Sequence, residues 1–380
     1  MKIVYCTDSI CYQGGIAMTT ITKANALAGI PGNEVWVAVT DNKGNAPIIP
    51  LIPNVHLVDL DVNYYEDDWK SKLHVLKGIF LKRRQHKKKL RNFLGTVRPD
   101  IVVSTGTSEK LFLPYLKKRV GGSYIREIHF TKSYRRLAAC GLFEKLSASV
   151  GDILDYQVCI RHYDKVVVLT EEDRVVNWHS KRNVEVIANP IEQVHDKESL
   201  LENETVITAG RLVLQKNFSS LIDIWKKVNV KHPDWKLEIW GEGTLRNTLQ
   251  QQIASQNLAS SVFLMGYSDN IGEAMSKASI YVCSSSFEGF GLAIVEAMSH
   301  GVPVVSYGCP CGPKDIIEDG KCGYIVPVGA EEEFADRICT LIENYDLRKR
   351  MGRCASERAA DYSVEKITAE WMRLFNELSK

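Results

Sequence analysis

Short apolar runs rich in β-branched residues recur along this chain and alternate with segments of helical periodicity. In the first half the runs are Lys2–Cys6, Glu34–Val39, Asp100–Ser104, Tyr124–Ile128 and Lys165–Leu169. In the second half they are Thr205–Ala209, Lys236–Trp240, Val262–Met265, Ser279–Cys283, Pro303–Ser306 and Tyr324–Val326. Near-continuous apolar runs of this length suit parallel strands covered on both faces. Amphipathic segments such as Ser219–Val230 and Glu332–Asn344 lie between them. The alternation implies right-handed crossovers and doubly wound, Rossmann-like α/β sheets. There are too many strands for one compact sheet. At ~100–200 residues per domain, the length suggests two or three domains. Asn189-Pro190 favours an extended turn within Ile187–Ile191, and the polar stretch Gln193–Glu204 follows. The expectation is an α/β protein of two domains, 1–187 and 188–362, facing a central cleft. Ser363–Leu378 then reads as a helix, with Val364, Ile367, Trp371, Leu374, Phe375 and Leu378 on one side.

Composition narrows the class. With 45% hydrophobic and 25% charged residues, wholesale disorder, collagen-like sequence and a small disulfide scaffold are all disfavoured. The net charge of +2, from 48 basic against 46 acidic residues, does not resemble a general nucleic-acid binder. The 10 cysteines are scattered and form no Cys-x-x-Cys pair. Cys309-Pro-Cys311 with Cys322 comes nearest to a metal cluster but lacks a well-spaced fourth ligand, so these read as small buried thiols of a reducing cytosol. The apolar start Ile3–Cys6 is too short for the core of a signal peptide. No run of ~20 apolar residues crosses a membrane. A cytoplasmic enzyme or binding protein is expected.

The strongest motif runs from Ser284 to Met298 and contains Glu288-Gly289-Phe290-Gly291-Leu292, then Glu296-Ala297-Met298. A strand ends at Cys283, a Gly-rich turn follows, and a helix begins near Gly291. Ligands bind at the carboxyl ends of strands in such sheets, and free amides at a helix start favour an anion. If largely helical, Glu288 to Glu296 spans up to ~12 Å, about the reach between two hydroxyl-bearing rings joined by a pyrophosphate. Each carboxylate can accept hydrogen bonds from vicinal hydroxyls. The bland alternative is a solvated Glu288 and a Glu296 on a helix face. The second motif, Gly210-Arg211-Leu212-Val213-Leu214-Gln215-Lys216-Asn217, also follows a strand and precedes a helix. Arg211 and Lys216 would place two cations where a departing nucleoside diphosphate needs neutralising. Two ordinary surface cations are the alternative. Gly241-Glu242-Gly243 and Gly266-Tyr267 follow two further strands and are weaker signals; Tyr267 either lies near a base or simply packs.

Gly-Arg-Leu-x-x-x-Lys-Asn, Gly-x-Gly and Glu-Gly-Phe-Gly-Leu-x-x-x-Glu-Ala-Met together resemble the retaining glycosyltransferases of the GT-B fold, family four, over roughly residues 205–330. Gly301-Val302-Pro303, Gly312-Pro313-Lys314-Asp315 and Gly320-Lys321-Cys322-Gly323-Tyr324 add to the resemblance. It implies a nucleotide-sugar donor, UDP-linked on the family's commonest habit, held by the C-terminal domain. Glu288 would contact the donor sugar, Glu296 the ribose, and Arg211 and Lys216 the diphosphate. Gly241, Gly243, Tyr267, Gly289, Phe290, Gly291 and Leu292 would shape the donor pocket. The final helix, 363–380, would pack back on the first domain.

In the first domain, Gln13-Gly14-Gly15-Ile16 follows the first strand and opens a helix. It is not the dinucleotide fingerprint, and no acidic residue sits suitably at the end of the second strand. The resemblance instead aims the Gly15 loop at donor phosphates and acceptor, and places His129 near the donor sugar, although Phe130 departs from the polar residue many relatives carry. Lys82, Arg83, Arg84, Lys87, Lys88, Lys89 and Arg91 crowd one segment among Leu73, Leu76, Ile79, Phe80, Leu90, Phe93 and Leu94. This reads as a basic amphipathic helix for an anionic membrane surface, against the commoner fate of a solvated charged face. Tyr134, Arg135 and Arg136 would extend an acceptor-side patch. No nucleic-acid partner is expected, since aromatic interleaving is sparse.

The chemistry expected is transfer of a hexose or N-acetylhexosamine, with retention, to a hydroxyl of a glycolipid, a polyprenyl-diphosphate-linked oligosaccharide or a polysaccharide precursor. No Asp-x-Asp accompanies the site, so no metal or other cofactor is expected beside the nucleotide sugar, and the place of work is the inner face of the cytoplasmic membrane. A GT-B sugar-nucleotide epimerase, or a noncatalytic module docking on membrane, are the alternatives.

Overall fold

The computed structural model describes residues 1–12, 14–64, 72–132, 134–135, 141–153, 155–156, 160–178, 181–192 and 198–379, without the side chains of 72–77 and 142–143. Gln13, Arg136, Cys140 and Cys159 lie outside the described residues, as do the side chains of Leu73 and Leu76. The chain forms two compact units. The first comprises Met1–Leu169, Arg174–Pro190 and Val364–Lys380; the second comprises Thr170–Asp173 and Ile191–Ser363. The first unit thus ends at Pro190 rather than at 187, and the short segment Thr170–Asp173 counts with the second.

The first unit holds strands β1 (Lys2–Thr7), β2 (Glu34–Val39), β3 (Val55–Asp59), β4 (Ile101–Ser104), β5 (Ser123–Ile128), β6 (Lys165–Val168) and β7 (Val184–Val186). They form one parallel sheet in the order β3-β2-β1-β4-β5-β6-β7. The second unit holds β8 (Thr205–Ala209), β9 (Lys236–Trp240), β10 (Val262–Gly266), β11 (Ile280–Cys283), β12 (Val304–Tyr307) and β13 (Gly323–Val326), in the parallel order β10-β9-β8-β11-β12-β13. The order reverses between β1 and β4 in one sheet and between β8 and β11 in the other. Crevices open at such reversals, outside the carboxyl ends of the strands.

The central strands are buried on both faces, as their unbroken apolar runs require. Two edge strands fall outside the runs named from the sequence. In β3 only Val55 is fully buried, and all three residues of β7 are half-buried. An edge strand has one flank and much of one face in solvent, so its sequence lacks the apolar continuity that marks the others. The Val364–Leu378 helix joins the first unit's core: Ile367, Trp371, Leu374 and Phe375 pack with Ile3 and Tyr5 of β1 and with Ile21 and Leu27 of the Gly15–Ala28 helix.

The basic segment lies in the Lys72–Val97 helix. Leu90 and Leu94 are buried in the core, and His86 is buried against the rings of Tyr64 and Phe112. Two of its seven predicted surface cations are otherwise engaged. Lys89 Nζ donates to the carbonyls of Leu60 (2.7 Å) and Asp61 (2.9 Å), and Lys82 Nζ donates to that of Asn63. They fasten the stretch after β3 to the helix. Arg83, Arg84, Lys87 and Lys88 remain exposed, Arg91 is half-buried, and Phe80 and Leu81 are exposed beside them.

Candidate active site

In the second unit the reversal point carries the two strongest motifs. The turn after β8 (Gly210 to Asn217) and the turn after β11 (Ser284 to Gly291) are sewn together. Ser284 Oγ donates to Lys216 O (2.8 Å), Ser286 N to Gln215 O (2.8 Å), and Gln215 Nε2 to Phe287 O (2.9 Å). Glycines let the neighbouring turns press backbone on backbone. A Cβ on Gly241 would stand 2.0 Å from Gly210 O, one on Gly243 2.5 Å from Leu212 O, and one on Gly312 1.8 Å from Phe290 O. Gly241 and Gly312 also hold φ of +137° and +121°, where side chains are strained.

This scaffold fixes a charge pair. Lys216 Nζ lies 2.7 Å from Glu288 Oε1, and Ser285 Oγ donates to the same oxygen at 2.6 Å. Glu288 is only 7% exposed. Burial pushes the Lys216 ammonium down, but the adjacent Glu288 carboxylate outweighs it and holds the group above its usual value. Sequence separates the two residues by 72 positions; the sheet brings them together. Arg211 is exposed on the same turn and makes no ion pair among the described residues. Glu296 lies in the Leu292–Ser299 helix, half-buried, with no side-chain hydrogen bond among the described residues, and burial raises its carboxyl. The span from Glu288 to Glu296 is helical only from Leu292 onward, so helix rise does not set their separation. Gly291, at φ +106°, turns the chain into that helix. Gly289 is half-buried, and Phe290 is buried edge-on to Tyr362. Tyr267 follows the edge strand β10; it is 52% exposed and donates to Asp269 Oδ1 (2.9 Å). It therefore stands two strands away from the reversal point.

The state of Glu296 makes a testable pH signature. A ligand hydroxyl donating to it favours the ionised form, so binding expels a proton whenever the free carboxyl is protonated. Its raised pKa places that range above the ordinary 4.5. Affinity for a ligand whose hydroxyl donates to Glu296 is expected to fall as pH drops through that range, and Glu296→Gln is expected to flatten the dependence. Calorimetry in buffers of different ionisation enthalpy reads the released proton directly.

In the first unit, Gly14 and Gly15 are exposed where the Gly15–Ala28 helix begins, and nothing crowds Gly14. His129, just past β5, is buried, and burial pushes it down to about 4 against the pull of Glu127. At neutral pH it is an uncharged imidazole. Its Nε2 lies 3.3 Å from Glu127 Oε1 without the alignment of a hydrogen bond. Glu127 is ion-paired with Lys23, both 1% exposed. Sequence analysis missed this pair. The available signal was that Lys23 is the lone charged residue in an otherwise small and apolar helix. Cys309 and Cys311 are buried, Cys311 Sγ contacting Asp173, and Cys322 contacts the Glu318 carbonyl. Among the described residues no three His, Cys, Asp or Glu side chains are grouped as metal ligands, and no helix is long and apolar enough to cross a membrane.

Residues 191–358 match the family model described as glycosyl transferases group 1. The amylovoran biosynthesis glycosyltransferase AmsD of Erwinia amylovora is 31% identical over 272 residues, covering 68% of this chain and 76% of the relative. The chain belongs to the glycosyl transferases group 1 family. An uncharacterized glycosyltransferase of Haemophilus influenzae is 27% identical over 374 residues, 97% of this chain and 98% of the relative. Among solved structures, a mutant of S. aureus TarM in complex with Fondaparinux, alpha-GlcNAc-glycerol and UDP superposes with a TM-score of 0.80 at 18% identity, covering 99% of each chain. The fold is thus that of the GT-B glycosyltransferases: α/β, with two Rossmann-like units.

Proposed function

We propose that this glycosyltransferase is a retaining, family-four enzyme that moves a hexose or N-acetylhexosamine from a UDP-sugar to a hydroxyl of a lipid-linked or polysaccharide-precursor acceptor in cell-surface glycan synthesis. The observation that carries this reading is the Lys216–Glu288 pair at the sheet reversal, on turns whose shape glycine alone permits. Lys216, Arg211 and the amides opening the Leu292–Ser299 helix neutralise the leaving diphosphate. Glu288 accepts from the sugar hydroxyls and Glu296 from the ribose. The bond from the anomeric carbon to the phosphate oxygen breaks, and the acceptor oxygen bonds to that carbon from the same face. The acceptor proton passes to the leaving phosphate oxygen. His129, uncharged, and the Gly15 turn serve the sugar and acceptor side. Amylovoran synthesis by the Erwinia relative and UDP in the TarM complex support the donor and acceptor classes.

The test is a panel of nucleotide sugars offered to the full chain with a membrane extract, with products read by mass spectrometry and by the anomeric coupling constant. UDP-sugar consumption with an unchanged anomeric configuration is expected, and turnover is expected to survive chelation, since side-chain cations meet the phosphate charge. Inversion, or consumption of donor into an epimer without acceptor, overturns the reading.

The membrane part rests on Arg83, Arg84, Lys87 and Lys88 with exposed Phe80 and Leu81. Each basic residue near an anionic surface contributes roughly 1 kcal/mol. Replacing the four by glutamine is expected to release most of the protein from sedimenting phosphatidylglycerol vesicles. Undiminished pelleting sinks the membrane part alone.

A further inference from the structure

The first unit has a pocket of about 70 Å³ outside the carboxyl ends of β1, β4 and β5, beside that sheet's own reversal point. Its wall carries three cations, Lys110, Arg126 and Arg135, and one carboxylate, Asp155. Lys110 and Arg135 converge on the same oxygen, Asp155 Oδ2, at 2.6 and 2.5 Å, and Arg135 also approaches Asp152 Oδ1 at 3.5 Å. Arg126 is different. Its side chain is 12% exposed, and Nη1 is spent on Ser104 O (3.0 Å), Ser104 Oγ (2.7 Å) and Gly106 O (2.6 Å). Neutral oxygens orient the guanidinium but do not cancel its charge. The nearest carboxylate, Glu109, stands 3.9 Å away. Burial, with Asp8 adding to it, pushes Glu109 up to about 7, so near neutrality it offsets only part of that charge. Thr105, Thr107, His129 and Tyr134 are among its other polar lining residues.

A largely desolvated guanidinium without a full counter-ion is costly unless a ligand supplies the missing charge. We infer that this pocket receives an anionic group of the acceptor, a phosphoryl or carboxylate oxyanion, with Arg126 as its principal partner and Lys110 and Arg135 on its flanks. Arg126 presents Nη2 and Nε as the remaining donors, the fork that suits a two-oxygen anion. The inference rests on the donor reading above and adds the charge class of the second substrate.

Calorimetry on the full chain saturated with UDP, titrated with glycerol 3-phosphate, glycerate and glycerol, tests it. At least one of the two anions is expected to bind, and glycerol is not; which anion binds tells phosphoryl from carboxylate. Arg126→Gln is expected to weaken that anion at least tenfold while UDP affinity stays within twofold. Because Arg126 also holds the Ser104 and Gly106 carbonyls, Lys110→Met serves as the second variant, with a smaller loss of about threefold to tenfold. Equal binding of glycerol, or anion affinity unmoved in both variants, overturns the inference. A wild type that binds the anion but no UDP overturns the donor reading instead.

Discussion

Lys216→Met is expected to lower kcat for glycosyl transfer about 10²–10³-fold, the range for losing one preorganised donor to a developing negative charge. The ammonium is held at the strand end by Glu288 (2.7 Å), and its stem packs on Gly210, where an added Cβ would stand 2.9 Å from Lys216 Cε. Arg211 on the same turn, exposed and without an ion pair among the described residues, retains only part of that neutralisation. Glu288→Gln keeps the shape and can still accept from Ser285, but weakens the grip on hydroxyls, so its loss should appear mainly in kcat/KM. The two residues share one hydrogen bond. Their effects are therefore expected to combine less than additively in Lys216→Met/Glu288→Gln. A Lys216→Met enzyme within threefold of wild type in kcat would remove this pair from the chemistry.

Lys23→Met is expected to destabilise the first unit by about 3–5 kcal/mol, the range for removing one partner of a buried ion pair. Both side chains are 1% exposed, and Lys23 lies over the rings of Trp371 (5.1 Å) and Tyr5 (5.9 Å). Burial pushes the Glu127 carboxyl up, but the Lys23 ammonium beside it outweighs that and keeps the group below its usual value. Without Lys23 that balance is lost, and Glu127 must protonate or stay charged in a dry core. Lys23→Met/Glu127→Leu removes both charges and is expected to recover more than half of the loss. Urea unfolding followed through Trp371 and hydrogen exchange in β5 gives the comparison. A single variant as stable as wild type, or a double variant worse than the single, would contradict this account of the pair.

The central strands were legible because both faces of each are covered, so apolar residues run without interruption. β3 and β7 were not, because Leu57 and its neighbours face solvent and the half-buried Val184–Val186 is too short for a pattern to emerge. The glycine turns around Glu288 were legible too, since close backbone approach leaves a mark in residue type. Long-range pairing leaves no such mark. Lys23 and Glu127 are 104 positions apart, and nothing near either names the other. Lys82 and Lys89 read as surface charge because a sequence does not show that backbone carbonyls from 60–63 lie against their helix. Arg126 falls within a strand run, and nothing in that run shows that the carbonyls of Ser104 and Gly106 lie against its Nη1.

Under the donor reading, the Lys216–Glu288 salt bridge also bears on selectivity. In the free protein Lys216 already has a counter-ion, so a bare anion such as chloride or inorganic phosphate must compete with Glu288 and brings nothing to satisfy the carboxylate it displaces. A molecule carrying both a diphosphate and a ring of hydroxyls satisfies both halves at once. On that reading the charge pair is self-quenched without its ligand, which keeps it from being silted up by the abundant small anions around it.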